Sequence, residues 1–451
     1  MTDQLESGHN LTKSSNAAGI EHAATVRVDS ALWPDVVAVP ARGVRSKMAQ
    51  VLFNRAVQGL PLRVILPDGK TMGAGDLASP VMRLVRPDQF ARRLGATGLI
   101  GFGEAYQAGD WTADDLTSVL TVFAEQMSTL IPPWLQRGRA LYVKHQPRRE
   151  RGTRANTRTN IARHYDLSND LFASFLDDSM TYSSALFERD DLGHPNASWD
   201  LLGSAQQRKI DRLLDLAGVG PGTRVLEIGT GWGELALRAA ARGAQVHSIT
   251  LSQEQADLAT DRIEAAGFGA QVNVELCDYR DVRGTYDAVL SVEMIEAVGY
   301  DFWPAYFSTL ERVLRPGGFA GLQAITMPHE RMLASRDTYT WIQKYIFPGG
   351  LIPSVRSVRE SVRAHTSLRM VDDLAFGDDY AETLRIWRHR FENEARSGSD
   401  VGFDSTFGRT WSLYLAYSEA GFRSHYLDVH QFMLRKQSED PANQHQESEL
   451  S

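Results

Sequence analysis

The sequence contains few of the residues that disulfide frameworks, cysteine-based zinc sites and membrane spans require. Its 451 residues include one cysteine, Cys277, which excludes an internal disulfide and a zinc site built on cysteines. A reducing cytoplasm is therefore the expected compartment. No run of about 18 uninterrupted apolar residues predicts a membrane span. The first residues are polar where a secretory signal needs a basic start and an apolar run, so no export is expected.

The composition that remains is typical of a globular protein, because 43% of the residues are hydrophobic and 23% are charged. The formal net charge of −8 is unevenly distributed. Residues 137–163 contain nine Lys and Arg against the single acid Glu150, a local balance of +8, which leaves −16 for the rest of the chain. A basic segment of this kind is typical of contact with anionic lipid head groups or nucleic acid. A solvated linker explains the same composition.

The hydrophobic pattern divides the chain into five segments, 1–40, 41–133, 134–160, 161–436 and 437–451. The two terminal segments are polar and weakly patterned, so we expect them to be disordered. The second segment predicts a small α+β domain, with a helix, a strand and a further helix over 47–58, 62–66 and 115–127. The third segment is the basic linker.

In the fourth segment, strand-like and helix-like pieces alternate. Five strands are predicted, over 225–228, 245–251, 272–276, 286–291 and 319–325. This alternation predicts an α/β fold with a doubly wound, mainly parallel, Rossmann-like sheet. Such sheets bind ligands at the carboxyl ends of their strands.

The first predicted strand runs into a glycine-rich turn, VLEIGTGWGE over 225–234. In a dinucleotide fingerprint the third glycine stands five positions after the first, whereas Gly229, Gly231 and Gly233 alternate, so the spacing is wrong for NAD. Glu227 precedes the turn and can face an ammonium group, and a backbone without side chains lets a nucleoside lie against the sheet. S-adenosylmethionine has that shape. A turn that binds no ligand is the alternative.

The ends of the later strands carry polar residues suited to a nucleoside. Thr250 and Leu251 end the second strand and Gln255 follows it, so hydroxyls or the amide would serve the ribose there. Asp278 and Tyr279 follow the third and would hydrogen-bond and cover an adenine. The order of these segments is seen in nucleoside-dependent methyltransferases.

Three further segments carry a resemblance to a known family: RHYDLSNDLFASFLDDSMTYSSALFE (163–188), SVEMIEAVG (291–299) and YIFPGGLIPS (345–354). With the glycine turn, they resemble the cyclopropane-fatty-acyl-phospholipid synthases, a family that includes mycolic-acid cyclopropane synthases and enzymes of tuberculostearic-type lipids. The resemblance implies a class I S-adenosylmethionine-dependent methyltransferase domain. The sequences LPLRVILPDG (60–69) and GLIGFGEAYQAGDW (98–111) resemble the smaller N-terminal domain of longer bacterial members, which we interpret as membrane-associating.

The resemblance implies cofactor contacts at Tyr182, Ser183, Gly229, Gly231, Thr250, Leu251, Gln255 and near Asp278. It also implies an active site around bicarbonate, which relatives bind with a cysteine, a glutamate, a histidine, an isoleucine backbone and a tyrosine. Three positions match, at Glu296, Ile325 and Tyr380. The cysteine and histidine are replaced by Ser184 and Gln323, which keep a hydroxyl donor and an amide donor. By the same resemblance, His164 lies near the acyl channel.

The implied reaction is attack by a cis double bond of a phospholipid acyl chain on the sulfonium methyl, which needs no metal. The resulting carbocation must be kept from water, and aromatic rings stabilise it without capturing it. Ring candidates are Tyr165, Tyr182, Phe302, Tyr345, Phe347 and Tyr380. Proton loss then gives a cyclopropane or, after a hydride shift, a methylene branch, according to where the base stands. Glu296, directly or through bicarbonate, is the predicted base, and Glu293 is the competing acid.

The altered anion site favours the methylene branch, which a separate reductase would saturate. The expected partners are an unsaturated phospholipid, the anionic inner face of the cell membrane and a second copy of the chain, with no nucleic acid. The protein is then cytoplasmic and peripheral to the membrane. Two alternatives stay open: a methyltransferase for a soluble oxygen or nitrogen nucleophile, and a lipid-binding protein with a vestigial cofactor site.

Overall fold

The computed structural model describes residues 28–126, 168–336, 338–397 and 404–438. Within these ranges the chain forms two β-sheets and the helices that cover them. The strands are β1 Arg63–Ile65, β2 Thr71–Met72, β3 Val81–Leu84, β4 Trp111–Ala113, β5 Arg224–Ile228, β6 Gln245–Thr250, β7 Val272–Leu276, β8 Tyr286–Val292, β9 Leu314–Thr326, β10 Arg369–Ala375 and β11 Asp428–Arg435. The helices are α1 Pro34–Val37, α2 Val44–Val57, α3 Pro87–Thr97, α4 Leu99–Ala108, α5 Leu116–Glu125, α6 Asn169–Phe175, α7 Trp199–Leu216, α8 Glu234–Ala241, α9 Gln253–Ala265, α10 Ile295–Val298, α11 Trp303–Val313, α12 His329–Ser335, α13 Trp341–Tyr345, α14 Val355–His365, α15 Gly377–Ser397 and α16 Ser405–Arg423, with a 3-10 turn at Tyr300–Phe302.

The larger sheet has seven strands in the order β10-β11-β9-β8-β5-β6-β7. Neighbouring strands from β9 through β8, β5 and β6 to β7 are parallel. The chain builds outward from β5 through β6 to β7 and then returns to place β8 on the other side of β5. This reversal opens a crevice at the carboxyl ends of β5 and β8. The predicted doubly wound α/β fold is confirmed, and all five predicted strands lie in this sheet.

The edge formed by β10 and β11 was not predicted. Strand β11 runs antiparallel to both β9 and β10. It buries Val429, Phe432, Met433 and Leu434, and it pairs along β9, which begins at Leu314 within the predicted VLRPGG turn. The residues predicted as a turn therefore belong to β9, which is longer than the strand predicted from its apolar residues, 319–325.

The smaller sheet has four strands in the order β2-β1-β3-β4 and lies with α2 to α5. This is the smaller α+β unit that the sequence predicts, with its helices and strand within a few residues of the expected bounds. Gln107 on α4 donates to Thr410 on α16 at 2.8 Å, and Thr117 on α5 donates to Glu419 on α16 at 3.1 Å. The smaller unit therefore shares a buried core with the long helices near the carboxyl end.

Part of the amino-terminal stretch differs from the expectation of disorder up to residue 40. The structure describes it from residue 28 onward, with α1 over Pro34–Val37. Val36 is fully buried and the Trp33 indole N–H donates to Asp404 at 2.8 Å, so burial of apolar side chains holds this piece. The basic linker lies outside the described residues. No described helix is long and apolar enough to cross a membrane.

Candidate active site

The glycine-rich turn follows β5 and has the backbone conformation that only glycine adopts at low cost. Gly229, Gly231 and Gly233 have φ angles of 98°, 52° and 91°, all in the left-handed region. The Gly229 N–H donates to Ile249 of β6 at 2.9 Å, which ties the turn to the sheet. A Cβ at Gly231 would meet no protein atom within 4 Å. The turn therefore presents open backbone where the crevice begins.

A cavity lies over this turn and brings together most of the predicted cofactor residues. Nine of the eleven line it: Tyr182, Ser183, Glu227, Gly229, Gly231, Thr250, Leu251, Gln255 and Tyr279. Gly233 instead begins α8 beside α9, where a Cβ would lie 3.2 Å from that of Ala259. Asp278 accepts from the Arg280 guanidinium at 2.8 Å, rather than lining the cavity. Of these two residues, Gly233 thus lies where two helices pack, and Asp278 forms an ion pair.

Glu227 is the buried acid of the cavity. The Ser248 hydroxyl donates to its carboxylate at 2.5 Å, and this is the one hydrogen bond that the carboxyl group makes with the described residues. Burial raises the pKa of Glu227 to about 8, partly offset by that hydroxyl. A carboxyl group held in this way gains from a cationic ligand that shares its cavity.

The ribose side of the cavity is built from neutral polar groups. Thr250 donates from its hydroxyl to the Gln255 side chain at 3.0 Å. Ser252 caps α9 by accepting from the Gln255 N–H at 3.3 Å, which fixes the first turn of that helix. Tyr279 is buried and packs edge-on against Tyr306. The groups present therefore fit a nucleoside with an amino-acid end.

Lys209 lines the same cavity and was missed by the sequence analysis. It is fully buried, and its ammonium group donates to the Ser183 hydroxyl at 2.6 Å. Burial lowers the pKa of Lys209 to about 8. Nearby acids raise that pKa in part, and Glu293 contributes most among them. Its spacing from Ala205, Leu202 and Leu213 puts it on the buried face of α7. A lysine at helical spacing from these apolar residues was the sequence feature that could have predicted its burial.

Three of the five residues expected around bicarbonate, Ser184, Gln323 and Tyr380, surround the side chain of Glu293 instead. The Ser184 backbone N–H donates to Glu293 Oε1 at 3.0 Å, the Gln323 amide donates to the same oxygen at 2.8 Å, and the Tyr380 hydroxyl donates to Oε2 at 2.6 Å. The Ser184 hydroxyl, which the sequence suggested as a donor, donates to the Ala185 carbonyl at 3.0 Å. These donors thus bind the side-chain carboxylate of Glu293.

Glu296 lies beside this group with fewer partners. Its Oε1 accepts directly from the Ile325 N–H at 2.5 Å, although the resemblance implied that both groups would bind bicarbonate. Its buried Oε2 has no hydrogen-bond partner among the described residues. Burial, and then repulsion from Glu293, raise its pKa to about 8. Tyr380 donates its hydroxyl hydrogen bond to Glu293, whereas the sequence analysis grouped Tyr380 with Glu296 around bicarbonate. His164 lies outside the described residues.

Aromatic side chains pack behind this site. The Tyr182 ring lies 5.1 Å from that of Phe172 and 5.4 Å from that of Trp387, and the Tyr380 ring lies 4.6 Å from that of Phe422. Of the other ring candidates, Tyr345 donates to Glu104, Phe302 faces Arg280 and Phe347 packs on Tyr414. Tyr165 lies outside the described residues. The described aromatic cluster is therefore centred on Tyr182 and Trp387.

Comparison with known proteins shows which family has this architecture. The family model described as mycolic acid cyclopropane synthetase matches residues 153–432. The chain belongs to this family. It is 55% identical over 410 residues to the tuberculostearic acid methyltransferase UfaA1 of Mycobacterium tuberculosis, covering 90% of this chain and 96% of that protein. It is 33% identical over 359 residues to the cyclopropane-fatty-acyl-phospholipid synthase of Escherichia coli, covering 79% and 87%.

Solved structures of family members share the fold. The cyclopropane synthase MmaA2 of Mycobacterium tuberculosis matches with a TM-score of 0.55 and 29% identity, covering 62% of this chain and 98% of that one. The mycolic acid cyclopropane synthase CmaA1, solved with SAH and CTAB, matches with the same TM-score and identity over 64% and 99%. The predicted family and the prediction of an enzyme are confirmed.

Proposed function

We propose that this cyclopropane synthetase family member is an S-adenosylmethionine-dependent methyltransferase that adds a carbon to the cis double bond of an unsaturated phospholipid acyl chain and yields a methylene branch. The observation that carries the proposal is a cavity that has a glycine turn on one side and a hydrogen-bonded carboxylate, Glu293, on the other. The likeness to UfaA1 over nearly the full length of both chains supports the branched product.

The cofactor cavity fits the predicted methyl donor, and the CmaA1 structure solved with SAH supports this assignment. S-adenosylmethionine supplies an electrophilic methyl carbon. Glu227 would bind its ammonium group, the open backbone at Gly231 would admit the nucleoside, and Thr250 with Gln255 would bind the ribose hydroxyls. Tyr279 would cover the base. The donors and acceptors of the chain would thus orient the ligand.

The acyl chain requires a dry environment, because water would capture a carbocation. The aromatic cluster around Tyr182 and Trp387 supplies rings that stabilise positive charge by about 0.5–2 kcal/mol without reacting with it. Tyr182 lines the cavity, and its hydroxyl shares a hydrogen bond with the Tyr414 hydroxyl at 2.6 Å. We therefore assign this cluster to the wall that the reacting part of the acyl chain contacts.

The proposal is tested by expressing the protein in a host with defined monounsaturated phospholipids. Mass spectrometry of the fatty acids should show the gain of one CH₂, and gas chromatography should separate a methylene branch from a cyclopropane. The same host without the expressed protein is the control. Unchanged lipid masses, with methyl transfer to a soluble oxygen or nitrogen nucleophile, would favour the alternative methyltransferase. Lipid binding without any mass change would favour the lipid-binding protein.

We also assign the protein to the inner surface of the cell membrane. The basic segment 137–163 carries a local charge of +8, and each Lys or Arg near an anionic surface contributes about 1 kcal/mol. Helix α2 supports this placement, because Val44, Met48 and Val51 on it are 83%, 46% and 66% exposed. Co-sedimentation with anionic vesicles should weaken as salt is raised and when Arg148, Arg149, Arg151 and Arg154 are replaced by alanine. Salt-independent binding would contradict this assignment.

Two further parts of the proposal concern partners. A methylene branch becomes a methyl branch only by gaining two electrons and two protons, which a separate reductase would supply. A homodimer is the assembly that the resemblance implies, and light scattering of the purified protein tests it.

A further inference from the structure

Glu293 is held more firmly than the other acids near the cavity. Three donors from three distant segments converge on its carboxylate, from Ser184, Gln323 and Tyr380. Its φ angle is 50°, a left-handed conformation that residues with a side chain seldom adopt. Such conformations persist only where the surroundings impose them, and they cluster at functional sites.

The orientation of one donor is fixed by a chain of hydrogen bonds behind it. The Arg212 guanidinium donates to the Gln431 side-chain oxygen at 3.0 Å, and the Gln431 amide donates to the Gln323 oxygen at 3.0 Å. The Gln323 oxygen is therefore satisfied, and its NH₂ group is turned toward Glu293. This arrangement places donors, and no acceptor, at Glu293 Oε1, which is the pattern suited to an ionised carboxylate.

Glu293, and not Glu296, borders the cavity of the proposed methyl donor. The two acids interact, and a close pair of carboxyl groups tends to share one proton. Burial raises the pKa of Glu293, but Lys209, Tyr380, Ser184 and Gln323 each oppose that effect. The Glu296 carboxyl group accepts from the Ile325 N–H, and its Oε2 has no hydrogen-bond partner among the described residues. The proton of the pair therefore belongs on Glu296, and the negative charge on Glu293.

We propose that the Glu293 carboxylate is the base of the reaction and takes the place of a bound bicarbonate, so that the enzyme needs no exogenous anion. This inference rests on the proposed function and changes one part of the sequence-based prediction, since it moves the base from Glu296 to the competing acid. Glu296 then acts as its neutral neighbour, and Ser184, Gln323 and Tyr380 act as positioning residues.

The step balances within the acyl chain and Glu293. The acyl chain that has gained the methyl carbon carries the positive charge, and a hydride shift moves that charge to the carbon that bears the new methyl. A C–H bond of the methyl breaks, its electron pair forms the methylene double bond, and its proton goes to a Glu293 oxygen. The chain becomes neutral and the carboxylate becomes a carboxylic acid, which releases the proton before the next turnover.

The test uses the full-length protein, vesicles of unsaturated phospholipid, and the variants Glu293→Gln, Glu293→Gly and Glu296→Gln. We expect wild-type turnover to be the same in bicarbonate-free buffer and after bicarbonate is added. Glu293→Gln should lose turnover by about 10²–10⁴-fold, the range of general acid–base catalysis, and more than Glu296→Gln. SAH affinity by calorimetry should stay within about threefold in each folded variant, since none of the residues proposed to bind the ammonium group, the ribose or the base is changed.

Chemical rescue distinguishes a base from a structural residue. Glycine tolerates the left-handed backbone at position 293 and leaves the donors of Ser184, Gln323 and Tyr380 without a carboxylate. Formate or bicarbonate should therefore restore part of the turnover of Glu293→Gly, and none of that of Glu293→Gln, whose amide fills the space. Glu275→Gln, at an exposed pair with His247, is the matched control for the substitution.

Two results would refute the role of Glu293 as the base and leave the proposed function standing. One is a fully active Glu293→Gln variant beside an active wild type. The other is a wild type whose turnover depends on added bicarbonate. A wild type that binds SAH and leaves the lipid unchanged would instead refute the proposed function, together with this inference.

Discussion

The two halves of the candidate site are built in different ways. The cofactor half comes from consecutive strand ends, with Glu227 near the end of β5, the glycines directly after β5, and Thr250 at the end of β6. The carboxylate half gathers Ser184, Glu293, Gln323 and Tyr380 from segments that are distant in sequence, and the Tyr380 contact spans 87 positions.

The acids in the two halves differ in the number of donors that they receive. Glu227 accepts a single hydroxyl among the described contacts, so much of the stabilisation of its charge must come from a ligand. Glu293 accepts three donors and faces the charge of Lys209, so its charge is stabilised by the protein alone. The first arrangement suits binding of a cation, and the second suits repeated acceptance and release of a proton.

Among variants at positions other than 293, the largest effect that separates the halves is expected from Glu227→Gln. Loss of a hydrogen-bonded charge costs about 1.5–3 kcal/mol, so SAH affinity should fall by about 10- to 150-fold. Calorimetry measures it, with Glu275→Gln as the exposed control. Affinity equal to that of the wild type would place the ammonium site elsewhere.

Tyr380→Phe should affect the other half. Loss of the 2.6 Å hydrogen bond to Glu293 removes one charge-assisted donor, and we expect turnover to fall by about 10- to 100-fold with little change in SAH affinity. Tyr286→Phe, which removes a hydroxyl that donates to Arg283 at 2.9 Å, is a control outside the cavity. If Tyr380→Phe lowered SAH affinity as much as turnover, Tyr380 would belong to both halves, which would contradict the division of the site.

The pH dependence of SAH binding should report on Glu227. Its pKa is raised to about 8 by burial, so at lower pH the carboxyl group must lose a proton before it pairs with an ammonium group. Affinity should therefore rise with pH by at most about tenfold per unit and level off near pH 8. Lys209, whose pKa burial lowers to about 8, loses its charge in the same range and acts in the same direction. Calorimetry on Glu227→Gln should show a shallower slope, and an unchanged slope would exclude Glu227 as the cause.

The smallest effects should distinguish two glycines within the turn. Gly233→Ala places a Cβ 3.2 Å from that of Ala259 at a φ of 91°, so it should reduce the free energy of unfolding by about 1–2 kcal/mol. Gly231→Ala has open space around its Cβ and a φ of 52°, so it should destabilise less and weaken SAH binding more. Denaturant titration and calorimetry measure both effects, and the reverse order would contradict the assignment of Gly231 to the cavity.

The cofactor half could be predicted from the sequence because its determinants are local. The alternating apolar residues of β7 predicted its observed bounds Val272–Leu276, and the glycine turn lies directly before α8, which starts at Glu234. Nine of the eleven predicted cofactor residues line one cavity for the same reason.

The carboxylate half could not be predicted from local pattern. Glu293 and Glu296 are near neighbours in the sequence, and their choice of partner depends on the left-handed backbone at Glu293 and on the short helix α10. The antiparallel strand β11, also unpredicted, supplies Gln431, which orients Gln323. Tertiary packing, rather than sequence spacing, decides which carboxylate receives the donors.

The most direct test measures two quantities on the same two variants, the SAH dissociation constant and the single-turnover rate at saturating S-adenosylmethionine. Our account predicts that Glu227→Gln loses affinity while its saturated rate stays within a few-fold of the wild type. It predicts the opposite for Glu293→Gln, with a large loss of rate and nearly normal affinity. Similar losses of both quantities in both variants would contradict the division of the site into a binding half and a proton-accepting half.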